Sequence, residues 1–110
     1  MNKQKPYLLI KHYHSKAEVF KEVMAGLEEE GILFQAEKEE KMTDAITLAY
    51  QAAKKSALGI GIGISSEEVE VAVCQQIQPN LLPMPGMSIQ EKARNAGKYC
   101  KRKPLKLSLE

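Results

Sequence analysis

Gly26-Leu27-Glu28-Glu29-Glu30-Gly31-Ile32-Leu33-Phe34 reads as the last turn of an amphipathic helix, a glycine stop and the first residues of a buried strand. Gly31 supplies the left-handed position that ends a helix, because it has no Cβ to clash there. The apolar run behind it belongs to a strand. The helix-to-strand joint is therefore one connection of an α/β fold. The three carboxylates Glu28, Glu29 and Glu30 crowd the helix C-terminus, where the carbonyl ends carry partial negative charge and favour cations. Each acid there costs a few tenths of a kcal/mol, up to about 1. Nothing in the adjacent sequence compensates for them, so the stretch calls for a cation from outside the chain, a metal or a basic partner.

Upstream, Ser15-Lys16-Ala17-Glu18 has the form of a capping box, with the Ser side chain and the Glu side chain each bonding the other's backbone N–H. The helix it opens gathers Val19, Phe20, Val23, Met24 and Leu27 on one face. At about 100° per residue, Glu29 falls almost opposite the centre of that face. Pro6-Tyr7-Leu8-Leu9-Ile10-Lys11-His12 precedes it as a strand.

Downstream, Ile32–Glu37 is a second strand and Glu37–Lys41 a charged loop. Thr43 or Asp44 starts a second helix with Ala45, Ile46, Leu48, Ala49, Ala52 and Ala53 available for packing. Ala57–Ile64 reads as a third strand and Ser65-Ser66-Glu67 as a tight turn. The alternation of Val69, Val71 and Val73 gives a fourth strand, which so short a connection forces antiparallel to the third. Gln78–Gly86 reads as a Pro-rich loop. Ser88-Ile89-Gln90-Glu91 is a second capping box opening a helix to about Lys101, and Leu105-Lys106-Leu107 a short closing strand. This βαβαββαβ order predicts a three-layer α/β fold with a mixed sheet. Its first three strands are parallel and joined by right-handed crossovers.

At 110 residues the chain is expected to form one domain, 1–110, with a single modest core. Apolar content of 44% and charged content of 27% are ordinary for a globular protein, and a net charge of +2 is too small to argue for nucleic acid. No apolar run approaches the roughly 18 residues of a membrane span. The N-terminal residues lack the apolar region of a signal peptide. Cys74 and Cys100, without CxxC spacing, read as reduced thiols of a cytoplasmic protein.

Gly59-x-Gly61-x-Gly63 superficially resembles a nucleotide loop, but such a loop needs a strand, a Gly-rich turn and then a helix N-terminus. Here the glycines lie within a strand and a hairpin follows. Their spacing of two leaves one sheet face bare, as close packing of a helix requires. His12-Tyr13-His14 could bring two imidazoles together, but no third ligand lies near in sequence. Lys98, Lys101, Arg102, Lys103 and Lys106 form a basic cluster of the kind found at solvated helix C-termini. Aromatics at 5% are too few for stacking on RNA. There is no nucleophile–base motif, no HExxH and no P-loop.

Gly26–Phe34 also resembles a segment of the small (beta) subunit of the diol/glycerol dehydratase reactivases. Two further stretches agree: Ala52-Ala53-Lys54-Lys55-Ser56-Ala57-Leu58-Gly59-Ile60-Gly61-Ile62, and Asn95-Ala96-Gly97-Lys98-Tyr99-Cys100-Lys101 followed by Pro104-Leu105. The middle of the chain, Ser65–Glu91, agrees in pattern alone.

The resemblance implies an α/β/α fold with a five-stranded mixed sheet whose fourth strand is antiparallel, similar to anticodon-binding domains. It implies a non-catalytic, chaperone-like accessory subunit that pairs with a large actin-like ATPase subunit. That pair would rescue an adenosylcobalamin-dependent diol or glycerol dehydratase by exchange of subunits and release of damaged cobalamin. It places Glu29 as a ligand to magnesium at the interface with the ATPase subunit, with Glu28, Glu29 and Glu30 as the partner surface. The location it implies is cytoplasmic, in association with a bacterial microcompartment. The alternatives are a free-standing small-molecule or RNA-binding domain of the anticodon-binding type, and an enzyme using the Gly-strand face as a pocket.

Overall fold

The computed structural model describes residues 7–75 and 78–101. Its elements are β1 (Leu8–Tyr13), α1 (Ala17–Glu29), β2 (Phe34–Lys38), α2 (Ala45–Lys55), β3 (Ile60–Ser65), β4 (Glu68–Gln75), β5 (Gln78–Leu81) and α3 (Ile89–Cys100). They build a five-stranded sheet in the order β2-β1-β3-β4-β5. β1 is parallel to both β2 and β3, while β4 runs antiparallel to β3 and β5 antiparallel to β4.

The expected α/β fold with a mixed sheet and an antiparallel fourth strand is borne out. The chain steps from β1 outward to β2, then back across β1 to β3. Two crossovers of the same hand that travel in opposite directions must place their helices on opposite faces. α1 and α3 accordingly cover one face, packing Val19, Val23, Leu27, Ala93 and Ala96 on Leu8, Ile10, Ile62, Ile64, Val69 and Val71. α2 covers the other face, where Ala49 and Ala53 meet Ala72.

Two glycines set that second layer. A Cβ on Gly61 would lie 2.2 Å from the Ala53 nitrogen, and one on Gly63 would lie 2.1 Å from the Ala45 carbonyl oxygen. The α2 backbone rests directly on β3, so the bare face is filled by a helix, as its spacing predicted, and holds no pocket. Gly59 departs from the pattern. It precedes β3 at φ +72°, and its hypothetical Cβ faces the Cys74 carbonyl oxygen at 2.9 Å rather than α2.

The fifth strand is the main correction. Gln78–Leu81, expected as the beginning of a Pro-rich loop, pairs with Ala72–Gln75. Pro79 is tolerated because its partner Cys74 directs its own N–H toward Gly59 on the β3 side, so no bond is asked of the proline. The expected closing strand Leu105–Leu107 lies outside the described residues.

The first capping box is also corrected. The N-cap of α1 is Lys16, whose side chain makes no cap bond, while the Ser15 Oγ stands 3.5 Å from His12 Nδ1. A tertiary contact wins at this helix start. Lys16 N–H donates to the Ser66 carbonyl at 3.1 Å and its ammonium pairs with Glu67, both in the β3–β4 turn. The other two helix starts follow the sequence. Asp44 Oδ1 accepts from Thr47 N–H at 2.8 Å, and Ser88 and Glu91 form the reciprocal box at 3.1 Å each. Ile46, expected to pack, is instead 40% exposed. No helix among the described residues is long and apolar enough to cross a membrane.

Candidate functional site at the end of helix α1

Helix α1 ends as its sequence dictates. Gly31 takes φ +69°, its N–H donates to the Glu28 carbonyl at 3.0 Å, and Ile32 N–H donates to the Leu27 carbonyl at 3.1 Å. This pair of bonds is the Schellman closure, and it points Ile32 back onto the core beside Leu27. Glu28, Glu29 and Glu30 are thereby fixed on a rigid turn.

The missing cation comes first from within the chain. Arg94 Nη1 donates to Glu29 Oε1 at 3.0 Å, and Lys101 Nζ lies 3.0 Å from Glu30 Oε1. The expectation that the acids lack compensation is corrected for these two. Glu29 does face solvent, with its side chain 53% exposed, but it leans on α3. Glu30 is largely covered at 13%. Glu28 is exposed.

The α1–α3 packing makes these pairs reachable. A Cβ on Gly26 would fall 2.7 Å from both Ala93 Cβ and the Gln90 carbonyl oxygen, and one on Gly97 would fall 2.8 Å from Glu30 Cβ. The two helices therefore approach at glycine contacts and set Arg94 and Lys101 over the α1 terminus. Arg94, Gly97 and Lys101 recur at helical spacing along one face of α3, a pattern present in the sequence. Which element that face would meet was not.

For a cation, Glu29 would be one contributor among several. Oε1 of Glu29 accepts from Arg94, and a carboxylate retains acceptor capacity on its second oxygen. A hard ion such as magnesium keeps several waters and takes only one or two carboxylates, so exposed Glu29 fits a shared shell and not a self-contained one. Among the described residues no cluster of three or more His, Cys, Asp or Glu side chains could hold a metal ion.

The other candidates separate. His12 packs on Phe20 with ring centroids 5.0 Å apart, whereas His14 lies past the end of β1 at φ +49° and stacks on Tyr13 at 4.1 Å. The two imidazoles therefore do not converge on one ligand site. Burial pushes the Cys100 thiol up to about 11, which leaves it protonated and a poor nucleophile. Of the basic cluster, Lys101 is committed to Glu30. Arg102, Lys103 and Lys106 lie outside the described residues.

A family model described as dehydratase medium subunit matches residues 5–106. A solved structure titled "Glycerol dehydratase reactivase" is similar, with TM-score 0.73 and 28% identity over 93% of this chain and 97% of that one. A second, titled "Structure of diol dehydratase-reactivating factor complexed with ADP and Mg2+", shares the fold, with TM-score 0.70 and 22% identity over 94% of this chain and 99% of that one. No curated protein matches the chain. The resemblance carried by Gly26–Phe34 is thus borne out across the whole fold, and the chain belongs to the dehydratase medium-subunit family.

Proposed function

We propose that this chain is the small, non-catalytic subunit of a dehydratase reactivase. It pairs with an actin-like ATPase subunit and exchanges with a subunit of an adenosylcobalamin-dependent diol or glycerol dehydratase, so that damaged cobalamin leaves the opened enzyme. The observation that carries this reading is the combination of two likenesses over nearly the full chain. One is to a dehydratase medium-subunit family, the other to a reactivase structure. A protein that shares a scaffold with a subunit of its target is suited to take that subunit's place. Nothing in the described site pairs a nucleophile with a base, which fits a role in assembly.

In this reading the acidic end of α1 is the contact with the ATPase subunit. Glu29 contributes one carboxylate oxygen to a magnesium shell shared with that partner, and Glu28 and Glu30 flank it. The ion pair to Arg94 is half-exposed. Pairs of that kind contribute at most about 1 kcal/mol, so it can yield to a stronger cation.

The test uses dehydratase inactivated with a bound non-functional cobalamin. It is mixed with the ATPase subunit, this chain, ATP and magnesium, and free cobalamin is measured after gel filtration. Release requires both proteins. Equal release without this chain would refute the reading. The Glu29 role is tested separately by titrating wild type and Glu29→Gln against the ATPase subunit, with magnesium and with chelator. The variant should bind more weakly with magnesium only, and equal affinities in all four conditions would remove the metal role while leaving the subunit assignment intact.

A further inference from the structure

A different edge of the molecule carries a second surface. Among the described residues, β5 pairs only with Ala72–Gln75, so the Glu68–Val71 half of β4 has a strand neighbour, β3, on one side and none on the other. Leu82 N–H donates to the Val71 carbonyl at 2.9 Å as the last link of the ladder. One step along the same edge, the Val69 carbonyl accepts from Lys92 Nζ at 3.0 Å. An ammonium parked on an outward-facing strand carbonyl is one way an exposed edge is kept from pairing indiscriminately.

A groove follows this edge. One part, of about 590 Å³, runs between Glu70 and Val71 and the loop of Leu82, Met84 and Met87. The other, of about 470 Å³, runs past Glu67, Glu68 and Ile46 to Ile89 at the start of α3. Glu70 and Lys92 border both parts, which makes them continuous. Its two walls differ in chemistry because β4 alternates. Val69 and Val71 face the α1–α3 layer, where Met84, Met87 and Ile89 offer apolar contacts. Glu68 and Glu70 face the α2 side, beside Asp44.

We infer that this edge docks an extended segment of a partner protein by strand addition. The backbone of the segment would pair with Val69 in place of the Lys92 ammonium. Alternate side chains would be apolar toward Met87 and Ile89, and cationic toward Glu68 and Glu70. Strand addition draws affinity from main-chain bonds and selectivity from alternate side chains, and here the two faces specify opposite chemistries. The inference is independent of the reactivase reading.

The probe is a synthetic acetylated Val-Lys-Val-Lys-Val amide, titrated into the isotope-labelled full chain and followed by amide resonances. The Val69 and Val71 amides should shift, and Val69 N–H exchange should slow. Glu68→Lys with Glu70→Lys should weaken binding at least tenfold. Lys92→Met should tighten it several-fold by removing the competitor for the Val69 carbonyl. A peptide of the same sequence with N-methylated alternate amides separates ladder pairing from charge attraction. Its failure to bind supports strand addition, and binding as strong as the parent's overturns it. Absence of shifts at Val69 and Val71 with the parent peptide overturns it as well.

Discussion

At the scale of single residues, the positions that matter most are those with no side chain. Gly61 touches α2 backbone, not a movable side-chain tip, so no rotamer change can make room for a Cβ. Gly61→Val should lower stability by at least the upper part of about 1–3 kcal/mol through overpacking, read as a fall in the urea midpoint. An unchanged midpoint would show that α2 does not rest on β3. Glu29 is the opposite case. Replacing it by Gln removes a half-exposed ion pair worth at most about 1 kcal/mol and relieves a few tenths of a kcal/mol of unfavourable dipole interaction. The two effects oppose one another, so the melting temperature of the isolated chain should move by no more than a few degrees.

His12 supplies a pH dependence at the same scale. Burial, with the nearby Lys38 ammonium second, holds its imidazole below the usual 6.5. The unfolded chain therefore binds this proton at a higher pH than the folded one. The contribution of His12 to stability is complete above about 6.5 and is lost as pH falls from there through the lower folded value. His12→Phe should flatten the decline in stability below pH 6.5. An unaltered pH profile would place the titration elsewhere.

At the scale of elements, the helix starts make a paired experiment. Ser88 and Ser15 head the same sequence pattern, but only Ser88 caps a helix. Ser88→Ala should cost about 1 kcal/mol and Ser15→Ala a small fraction of that, by thermal unfolding of both variants. Equal losses would mean that the Ser15 box forms after all. The pattern at Ser15 was legible, but the contact that displaces it was not. That contact joins Lys16 to Ser66 and Glu67, residues far along the chain in the β3–β4 turn. The α1–α3 joint has the same character. Gly26 and Gly97 are small in the sequence, yet only the packed structure shows that Gly26 receives α3 and that Gly97 receives Glu30 and Ile32 just past the end of α1.

At the scale of the whole molecule, the sheet order places β1 and β3 between neighbours on both sides and, among the described residues, leaves β2 and β5 at the edges. Amide exchange should accordingly be slowest in Leu8–Ile10 and Ile60–Ile64 and fastest in β2 and β5. Fast exchange in β3 would contradict the order. The sequence by itself determined the strand and helix succession through β4, the parallel start, the antiparallel hairpin, the close seat of α2 on β3 and the Gly31 stop. Each of these is written in neighbouring residues, by spacing, cap chemistry or the shortness of a connection. Only the tertiary structure decided that Gln78–Leu81 closes the sheet, because an edge strand needs a partner's free side more than a pattern of its own, and can accept Pro79 where no bond is required. It alone also decided that Arg94 and Lys101 answer the acids ending α1, because the dipole is local whereas the charges that balance it arrive from a helix about seventy residues away in sequence.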